Sequence, residues 1–598
     1  MCGIVGYVGK GEATEYLIKG LESLEYRGYD SSGIALHNGA NLVLEKRAGR
    51  LAKLREALAK RPLEGHCGIG HTRWATHGAA TDDNAHPFAS EYGKFAVVHN
   101  GIITNYEEIA GFLRARGVRL RSETDSEVIA HLIDLYYTGD TLSAICRAVK
   151  DLEGSFALGI LSVYEEKALF GVRKDSPLIV GRGEEESFIC SDISGISEFC
   201  DEVSFLEDDT VVRVTAEGAD AYDLSRGKRS LSFRKNRRAE RGREGVFFGS
   251  HMLSEIREVP LSIKETLEAY PEEAVGRILR VKYEGIALLG CGSAYHAGLV
   301  FKTAMREIAG VLVRDCIASE YLTERQTEDE RTLFIAVSQS GETADTLQAV
   351  RRAKKKGAKI LAVCNAPESS LSRLADETVM TQCGVERAVA ATKSYSAQAA
   401  VLLRICLQYA DICGKIKKEE SLRYHAELSR LAEKAEKVIG AEKALEEIAE
   451  SLALGDALFC LGRGADHCAA KEASLKIKEV SYLFSEAYPS GELKHGTLAL
   501  MTKGVFALFF STDPVLAEKN AASVEEVRCR GAQAVVLAAE SAAKAIRAER
   551  IFLLPDTIPV FSPVVSSVAA QLIAYFVAVK RGCDVDRPRN LAKSVTVE

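Results

Sequence analysis

The sequence predicts an α+β domain with antiparallel sheets, followed by two α/β domains with parallel sheets. Three observations predict it. Residues 1 to about 225 carry short runs of apolar residues, such as Phe95-Ala96-Val97-Val98 and Ala157-Leu158-Gly159-Ile160-Leu161, with helical patterns near 12–26, 50–60 and 124–137. After about residue 275 the pattern becomes strand, loop, helix, repeated, which builds a parallel sheet covered on both faces. The pattern Leu-Gly-x-Gly-small-x-x-x-Ala occurs from Leu289 and again from Leu461, so the second half is an internal duplication over about 275–410 and 445–580.

The chain has 598 residues, 47% hydrophobic and 27% charged, with net charge −7. That length suggests about three or four domains. The composition excludes a disordered chain and gives no sign of a nucleic-acid partner. Fifteen cysteines include no Cys-x-x-Cys pair, so zinc ribbons and dithiol redox motifs find no support. Scattered thiols without a signal peptide point to a reducing, cytoplasmic setting. The apolar stretch Thr557 to Val579 is interrupted by Pro559, Ser562, Pro563, Ser566, Ser567 and Gln571. It is expected to be a core helix from about Pro563 rather than a membrane span.

In chain order, the first feature is Met1-Cys2-Gly3-Ile4-Val5-Gly6-Tyr7. Removal of the methionine leaves a thiol and an α-amine on one residue. The sulfur is a nucleophile, and the amine, with a pKa of roughly 7.7–8.0, is a base beside it. A small residue buried on a first strand is the plain alternative. Thr124-Asp125-Ser126-Glu127 reads as a helix start. Residues 226–245 set nine cations against Glu240 and Glu244 and read as an exposed basic linker. Gly249-Ser250-His251-Met252 resembles a cloning scar, yet it runs without a break into Leu253-Ser254-Glu255-Ile256, and its origin stays open. The Glu-, Lys- and Ala-rich stretch 415–450 reads as helical, bridging the two repeats.

The chemistry concentrates after strands. Thr332 to Val337 is a buried strand that runs into Ser338-Gln339-Ser340-Gly341-Glu342-Thr343 and then a helix from Ala344. Backbone N–H groups, the positive end of the helix dipole and the hydroxyls of Ser338, Ser340 and Thr343 make this an anion trap. No GKS or GKT follows, and neither Gly-x-Gly turn continues as G-x-G-x-x-G, so neither a nucleotide P-loop nor a dinucleotide fold is indicated. The second repeat carries Phe509-Phe510-Ser511-Thr512-Asp513-Pro514 at the corresponding place, so one phosphate site per chain is expected. A helix over Lys471 to Phe484 sets Lys476 three residues from Glu479, and Ser490 to Gly496 is a polar loop holding His495. Glu, Lys and His together can supply the proton transfers of an aldose–ketose isomerisation. From the spacing alone a solvated ion pair is the plainer reading.

Several segments carry a family resemblance. Cys2-Gly3-Ile4-Val5-Gly6, Tyr26 to Gly33, His71-Thr72-Arg73-Trp74-Ala75-Thr76-His77-Gly78, His99-Asn100-Gly101 and Ser122 to Asp125 resemble the N-terminal-nucleophile glutamine amidotransferases. Ser338 to Thr343 resembles the phosphosugar loop of sugar isomerase (SIS) domains. With Glu486-Ala487-Tyr488, Gly491 to Gly496 and the tail Asp584 to Glu598, nearly the whole chain resembles the isomerising glutamine–fructose-6-phosphate aminotransferase family.

The resemblance implies an N-terminal-nucleophile glutaminase domain over 1–225, SIS domains over 275–410 and 445–580, and a tail, 581–598, that completes the isomerase site. It implies L-glutamine and fructose 6-phosphate as substrates and ammonia carried between two sites. Cys2 attacks the glutamine amide, while Asn100 and the Gly101 N–H form the oxyanion hole. Arg73 takes the α-carboxylate and Asp125 the α-ammonium, with Arg27, Thr76 and His77 lining the pocket. Trp74, the single tryptophan, gates the ammonia channel. Ser293, Ser338, Gln339, Ser340 and Thr343 hold the sugar phosphate, with backbone contacts at Val389 and Ala592. Lys593 forms a Schiff base, His495 opens the sugar ring from a neighbouring subunit of a homodimer, and Glu479 moves the proton between C1 and C2 with help from Lys476. No metal or organic cofactor is implied. Ala294 and Ala391 stand where many relatives have serine.

Two other readings remain at this point. A different acceptor would need an acidic phosphoribosyl motif or an ATP pyrophosphate loop, and neither is present. A sugar-phosphate sensor with a degenerate head is the other, since SIS folds do serve as sensors. The intact Cys2, Arg73, Asn100, Asp125, Glu479, His495 and Lys593 argue against it.

Overall fold

The computed structural model describes residues 2–74, 78–236, 246–325 and 327–595. It divides into two compact units, Met1–Arg241 with Ser594–Glu598, and Gly242–Lys593.

Among the described residues, the first unit holds an eight-stranded and a seven-stranded sheet, and every strand pair given is antiparallel. The strand Gly3–Gly9 lies inside the first sheet, between Cys67–Arg73 and Glu186–Cys190. It is apolar on both faces because both faces are buried. Val5 and Tyr7 pack with Leu17, Leu21 and Leu24 of the helix Ala13–Leu24, while Ile4 and Val8 pack with Val98, Leu161 and Val212 of the second sheet. The outer face of the second sheet, through Phe95, Val97 and Leu158, packs with the helices Glu127–Tyr136 and Thr141–Asp151. Four layers result: helix, sheet, sheet, helix.

Two local expectations are corrected here. The helix expected from Thr124 begins at Glu127, and Ser126 makes no capping bond. Glu127 reaches back instead to the N–H groups of Arg121 (2.9 Å) and Ser122 (2.7 Å), and Asp125 accepts from Ile103 N. The basic stretch from 226 is not wholly linker: Lys228–Arg229 and Arg234–Lys235 pair as short edge strands with Gly218–Asp223 and Glu202–Phe205. Edge strands suit charged residues, whose side chains reach water while the backbone pairs on one side. Residues 237–245 of that stretch lie outside the described residues.

The second unit contains two five-stranded parallel sheets of the same order. In the first repeat the order is Val313–Ile317, Gly285–Gly290, Thr332–Ser338, Lys359–Cys364, Glu377–Met380; in the second it is Phe484–Pro489, Ala457–Gly462, Val505–Ser511, Gln533–Ala539, Arg550–Leu554. This is the doubly wound order 2-1-3-4-5, whose ligand crevice opens at the carboxyl ends of the first and third strands. The helices Lys418–Ser429, Leu431–Gly440 and Glu442–Leu452 lie between the repeats in sequence. The apolar helix Ser562–Lys580 is long enough to cross a membrane, but it is buried along most of its length inside this unit.

A third correction concerns the helix expected over Lys471 to Phe484. It spans Ala465–Ser481, and Phe484 opens the next strand. Tyr482 adopts a left-handed φ of 57°, which stops the helix at Ser481. The loop Ser490–His495 is a 3-10 turn. Gly249-Ser250-His251-Met252 belongs to the structure: Ser250 caps the helix His251–Arg257 and Met252 is fully buried. The Asp586 carboxylate receives the N–H groups of His251 (2.9 Å) and Met252 (2.8 Å), so the C-terminal tail is anchored on that helix.

Candidate active site

The first cluster is assembled by three strands of the first unit. Cys2 precedes the strand Gly3–Gly9, Arg73 ends its neighbour Cys67–Arg73, and Asn100 and Gly101 lie in Phe95–Ile103. Cys2 Sγ accepts from Trp74 N at 3.3 Å, and the Asn100 amide donates to Cys2 O at 2.9 Å. Burial pushes the Cys2 thiol up, with the Trp74 N–H and the Arg73 charge pulling the other way. Gly101 has φ +140° within its strand, and a Cβ there would lie 1.9 Å from Ser155 O, so only glycine fits.

Arg73 is buried and donates to the carbonyls of Gly78 and Ala79, each at 3.2 Å. The charges of Cys2, Asp30 and Asp125 all act on its guanidinium. Asp125 is buried as well, with Oδ2 accepting from Ile103 N at 2.8 Å. Arg27 is ion-paired with Asp192 and bonded to the Tyr26 hydroxyl. The Trp74 ring meets Tyr29 edge-on at 5.6 Å. Thr76 and His77 lie outside the described residues.

The second cluster forms in the second unit. The Ser338–Thr343 loop follows the third strand of the first parallel sheet, and the helix Ala344–Lys355 begins after it. Ser338 Oγ lies 3.0 Å from Thr343 Oγ1 and accepts from Gly341 N at 3.1 Å; Ser340 Oγ accepts from Glu342 N at 3.2 Å. Gly341 has φ +65°, and a Cβ would meet Ser369 Oγ at 2.1 Å. Gln339 stands half-buried on the rim.

Ser293, at the start of the helix Gly292–Ala309, donates to Glu472 at 2.8 Å and accepts from Lys476 Nζ at 3.1 Å. Lys476 is fully buried, 2.5 Å from Glu479 and 3.5 Å from Glu472. Burial works to lower its pKa, but the two carboxylates outweigh burial and raise it. Glu472 also takes His296 Nδ1 at 2.8 Å. Glu472 and His296 were missed in the sequence. Glu472 lies one helical turn before Lys476, a signal that was available. His296 comes from another repeat, and only the helix crossing brings it in.

Lys593 is ion-paired with Glu386, and both side chains are buried. Glu386 also accepts from Thr392 N and Ser394 N, each at 3.0 Å. Nearby Glu255 is held high by burial and by the Glu386 charge. Neither carboxylate was found from the sequence, and Glu386 is 207 positions from Lys593. The Val389 N–H donates to Asp586 O at 3.0 Å, and Ala592 is half-buried. His495 is exposed on its 3-10 turn. Glu479 borders a cavity of about 300 Å³ with Leu475, Tyr482 and Arg589. Among the described residues, no group of three His, Cys, Asp or Glu side chains could hold a metal ion.

The second repeat treats its corresponding crevice differently. Asp466, which occupies the place of Ala294 in the repeat, is buried and accepts from Thr512 N (2.9 Å) and Thr512 Oγ1 (2.5 Å), with Ser562 Oγ at 3.4 Å. A carboxylate of the chain itself sits on the loop that corresponds to Ser338–Thr343.

Comparison with known proteins agrees with this division. Residues 281–405 and 452–581 match the SIS domain family, and residues 71–198 match the glutamine amidotransferase domain family. The chain is 42% identical to the glutamine–fructose-6-phosphate aminotransferase (isomerizing) of Clostridium tetani and 43% identical to that of Symbiobacterium thermophilum, with all of each chain covered. Among solved structures, the C-terminal domain of glucosamine-fructose-6-phosphate aminotransferase from Francisella tularensis matches with TM-score 0.55 and 33% identity, over 57% of this chain and 99% of that one.

Proposed function

The chain belongs to the isomerising glutamine–fructose-6-phosphate aminotransferase family, and on that premise we propose that it converts fructose 6-phosphate and L-glutamine into glucosamine 6-phosphate and L-glutamate. The single observation that carries the glutamine half is the meeting of Cys2, whose carbonyl takes the Asn100 amide, with the glycine-only backbone at Gly101. The thiolate attacks the side-chain amide carbon, ammonia leaves, and water hydrolyses the thioester. Asn100 and the Gly101 N–H take the oxyanion, where a donor is worth roughly 10²–10³ in rate. Arg73 and Asp125 hold the two charged ends of the amino acid.

In the sugar half, Ser338, Gln339, Ser340 and Thr343 bind the phosphate at the crevice of the doubly wound sheet. Ser293 holds the sugar next to the Lys476–Glu479 pair. The Lys593 amine condenses with the C2 ketone and loses water, which requires its pair with Glu386 to open. Ammonia from the first site, passed by Trp74, displaces the lysine. Glu479 then moves a proton from C1 to C2, with Lys476 fixing the carboxylate. His495 opens the ring from a second subunit, a role that its exposed position supports. The domain limits follow the sequence reading: glutaminase to about 225, SIS domains over 275–410 and 445–580, and a tail completing the sugar site. The setting is the cytoplasm.

Incubation with glutamine and fructose 6-phosphate tests the reading. Equal yields of glutamate and glucosamine 6-phosphate are expected, and glutamate without amino sugar would overturn the acceptor. Cys2→Ala is expected to abolish glutamine hydrolysis while sugar-phosphate binding survives. Mixing inactive His495→Ala and Lys593→Ala chains tests the shared site: activity reappears if each subunit completes the other.

A further inference from the structure

Three buried histidines stand behind the glutamine site, and the reaction just described uses none of them. The His71 and His86 rings stack at 4.0 Å with an interplanar angle of 11°, and His99 lies 6.5 Å from His86. Their hydrogen bonds fix which nitrogen carries each proton. His71 Nε2 lies 3.0 Å from both His99 O and Asn100 Oδ1. Both are acceptors, so Nε2 is the donor. His86 Nδ1 accepts from His99 N at 3.1 Å. Ser126 Oγ donates to Asp125 Oδ1 at 3.2 Å, so it accepts from His99 Nδ1 at 2.8 Å. Burial holds His71 down to about 3 and His86 far below its ordinary value, so these two rings are neutral spacers at working pH.

Two arms leave this stack. One runs from His71 to Asn100 Oδ1, which turns the Asn100 Nδ2 toward Cys2. The other runs from His99 through Ser126 to Asp125. We propose that the histidine stack is a positioning block with separable arms: His71 aims the oxyanion donor of Asn100, and His99 through Ser126 aims the Asp125 carboxylate at the substrate ammonium. The proposal rests on the assignment of Cys2, Asn100 and Asp125 given above.

The arms predict different losses. Asn100 acts on negative charge that exists only in the transition state, whereas Asp125 acts on the ammonium in every bound state. The aldehyde analogue of glutamine separates them. The Cys2 thiolate adds to the aldehyde carbon, forming the C–S bond, and the carbonyl pair moves onto oxygen in the oxyanion hole. Glutamate makes no such bond but shares the ammonium.

The experiment measures, on the full chain, glutamine hydrolysis, the inhibition constant of the aldehyde and that of L-glutamate. His71→Phe keeps the stacking and loses the donor. It is expected to lower kcat and aldehyde affinity together, by roughly 10- to 100-fold, with glutamate affinity nearly unchanged. His71→Gln, which can donate from a similar position, is expected to restore most of the loss. Ser126→Ala is expected to weaken aldehyde and glutamate by the same factor and so preserve their ratio. A His71→Phe enzyme with an unchanged ratio, or no rescue by His71→Gln, overturns the first arm; a changed ratio in Ser126→Ala overturns the second. Should His71→Phe not fold, His71→Asn, whose donor is too short to reach, carries the same comparison. Hydrolysis persisting in Cys2→Ala would instead remove the underlying assignment.

Discussion

Cys2 lies nearly a hundred residues from the adjacent pair Asn100 and Gly101; the thiol was legible from its residue type and position, the pair through the family resemblance. Gly101 is the sharpest case. Its φ of +140° and the 1.9 Å approach to Ser155 O leave no room for a methyl group. Gly101→Ala is expected to cost at least 2–3 kcal/mol, an order-of-magnitude figure for strained backbone, and to remove glutamine hydrolysis; a denaturation curve and a glutaminase assay check both. The residues that were not legible act through others. His71 hides inside a segment read for Arg73, although strand alternation sets the two on one face. Glu386 needed the tertiary structure, because Lys593 comes from the distant tail; Glu472 stood one helical turn from Lys476, and only its His296 and Ser293 partners come from another repeat. Lys476→Met tests the second of these. With the ammonium gone, the buried Glu472 and the half-buried Glu479 lose their shared cation, and unfolding is expected to become easier by about 3–5 kcal/mol. The isomerase activity should fall with glutamine hydrolysis intact.

Elements follow the same division. The parallel sheets were readable from apolar runs ending in glycine turns, and the duplication gave both at once. What misled was the ends. Glu127 satisfies N–H groups outside its helix, so a capping pattern placed the start three residues early. Tyr482 stops a helix with a backbone conformation that no composition rule marks. Asp586 is a further case, a cap supplied from 334 positions away. Asp586→Ala is expected to free the helix His251–Arg257 and the tail together, at about 1–2 kcal/mol. Proteolysis near the C-terminus should accelerate, and sugar-site activity should fall more than glutamine hydrolysis. Gly341→Ala tests the phosphate loop: the methyl would displace Ser369, so sugar-phosphate affinity should drop while the fold of the other unit stays unchanged.

At the scale of the molecule, buried titratable groups give the pH dependence. Glu127 lies at about 2: burial would raise it, but His131 and the N–H groups of Arg121 and Ser122 outweigh burial. Its folded value is depressed, so its contribution is present above the ordinary value near 4.5 and is lost as pH falls toward 2. Asp466 has the opposite sign. Burial raises it from 3.8 to about 6, so the benefit of its protonated form is complete below 3.8 and is lost as pH rises through 6. The cost above that pH is about 3 kcal/mol. Asp466→Asn is expected to match the wild-type melting temperature at pH 4 and exceed it at pH 7.5, which calorimetry checks.

The same aspartate has a consequence for how the two repeats experience metabolism. On the proposed reading, a phosphate on Ser338–Thr343 would come and go with its concentration. The carboxylate on the matching loop is tethered by the chain, so its effective concentration never falls. On that reading one half of the duplicated pair would respond to supply, while the other holds its own carboxylate. Starvation for sugar phosphate can loosen only the first, and the helix Ala465–Ser481, which carries Lys476 and Glu479, stays anchored through Asp466 whether or not substrate is present.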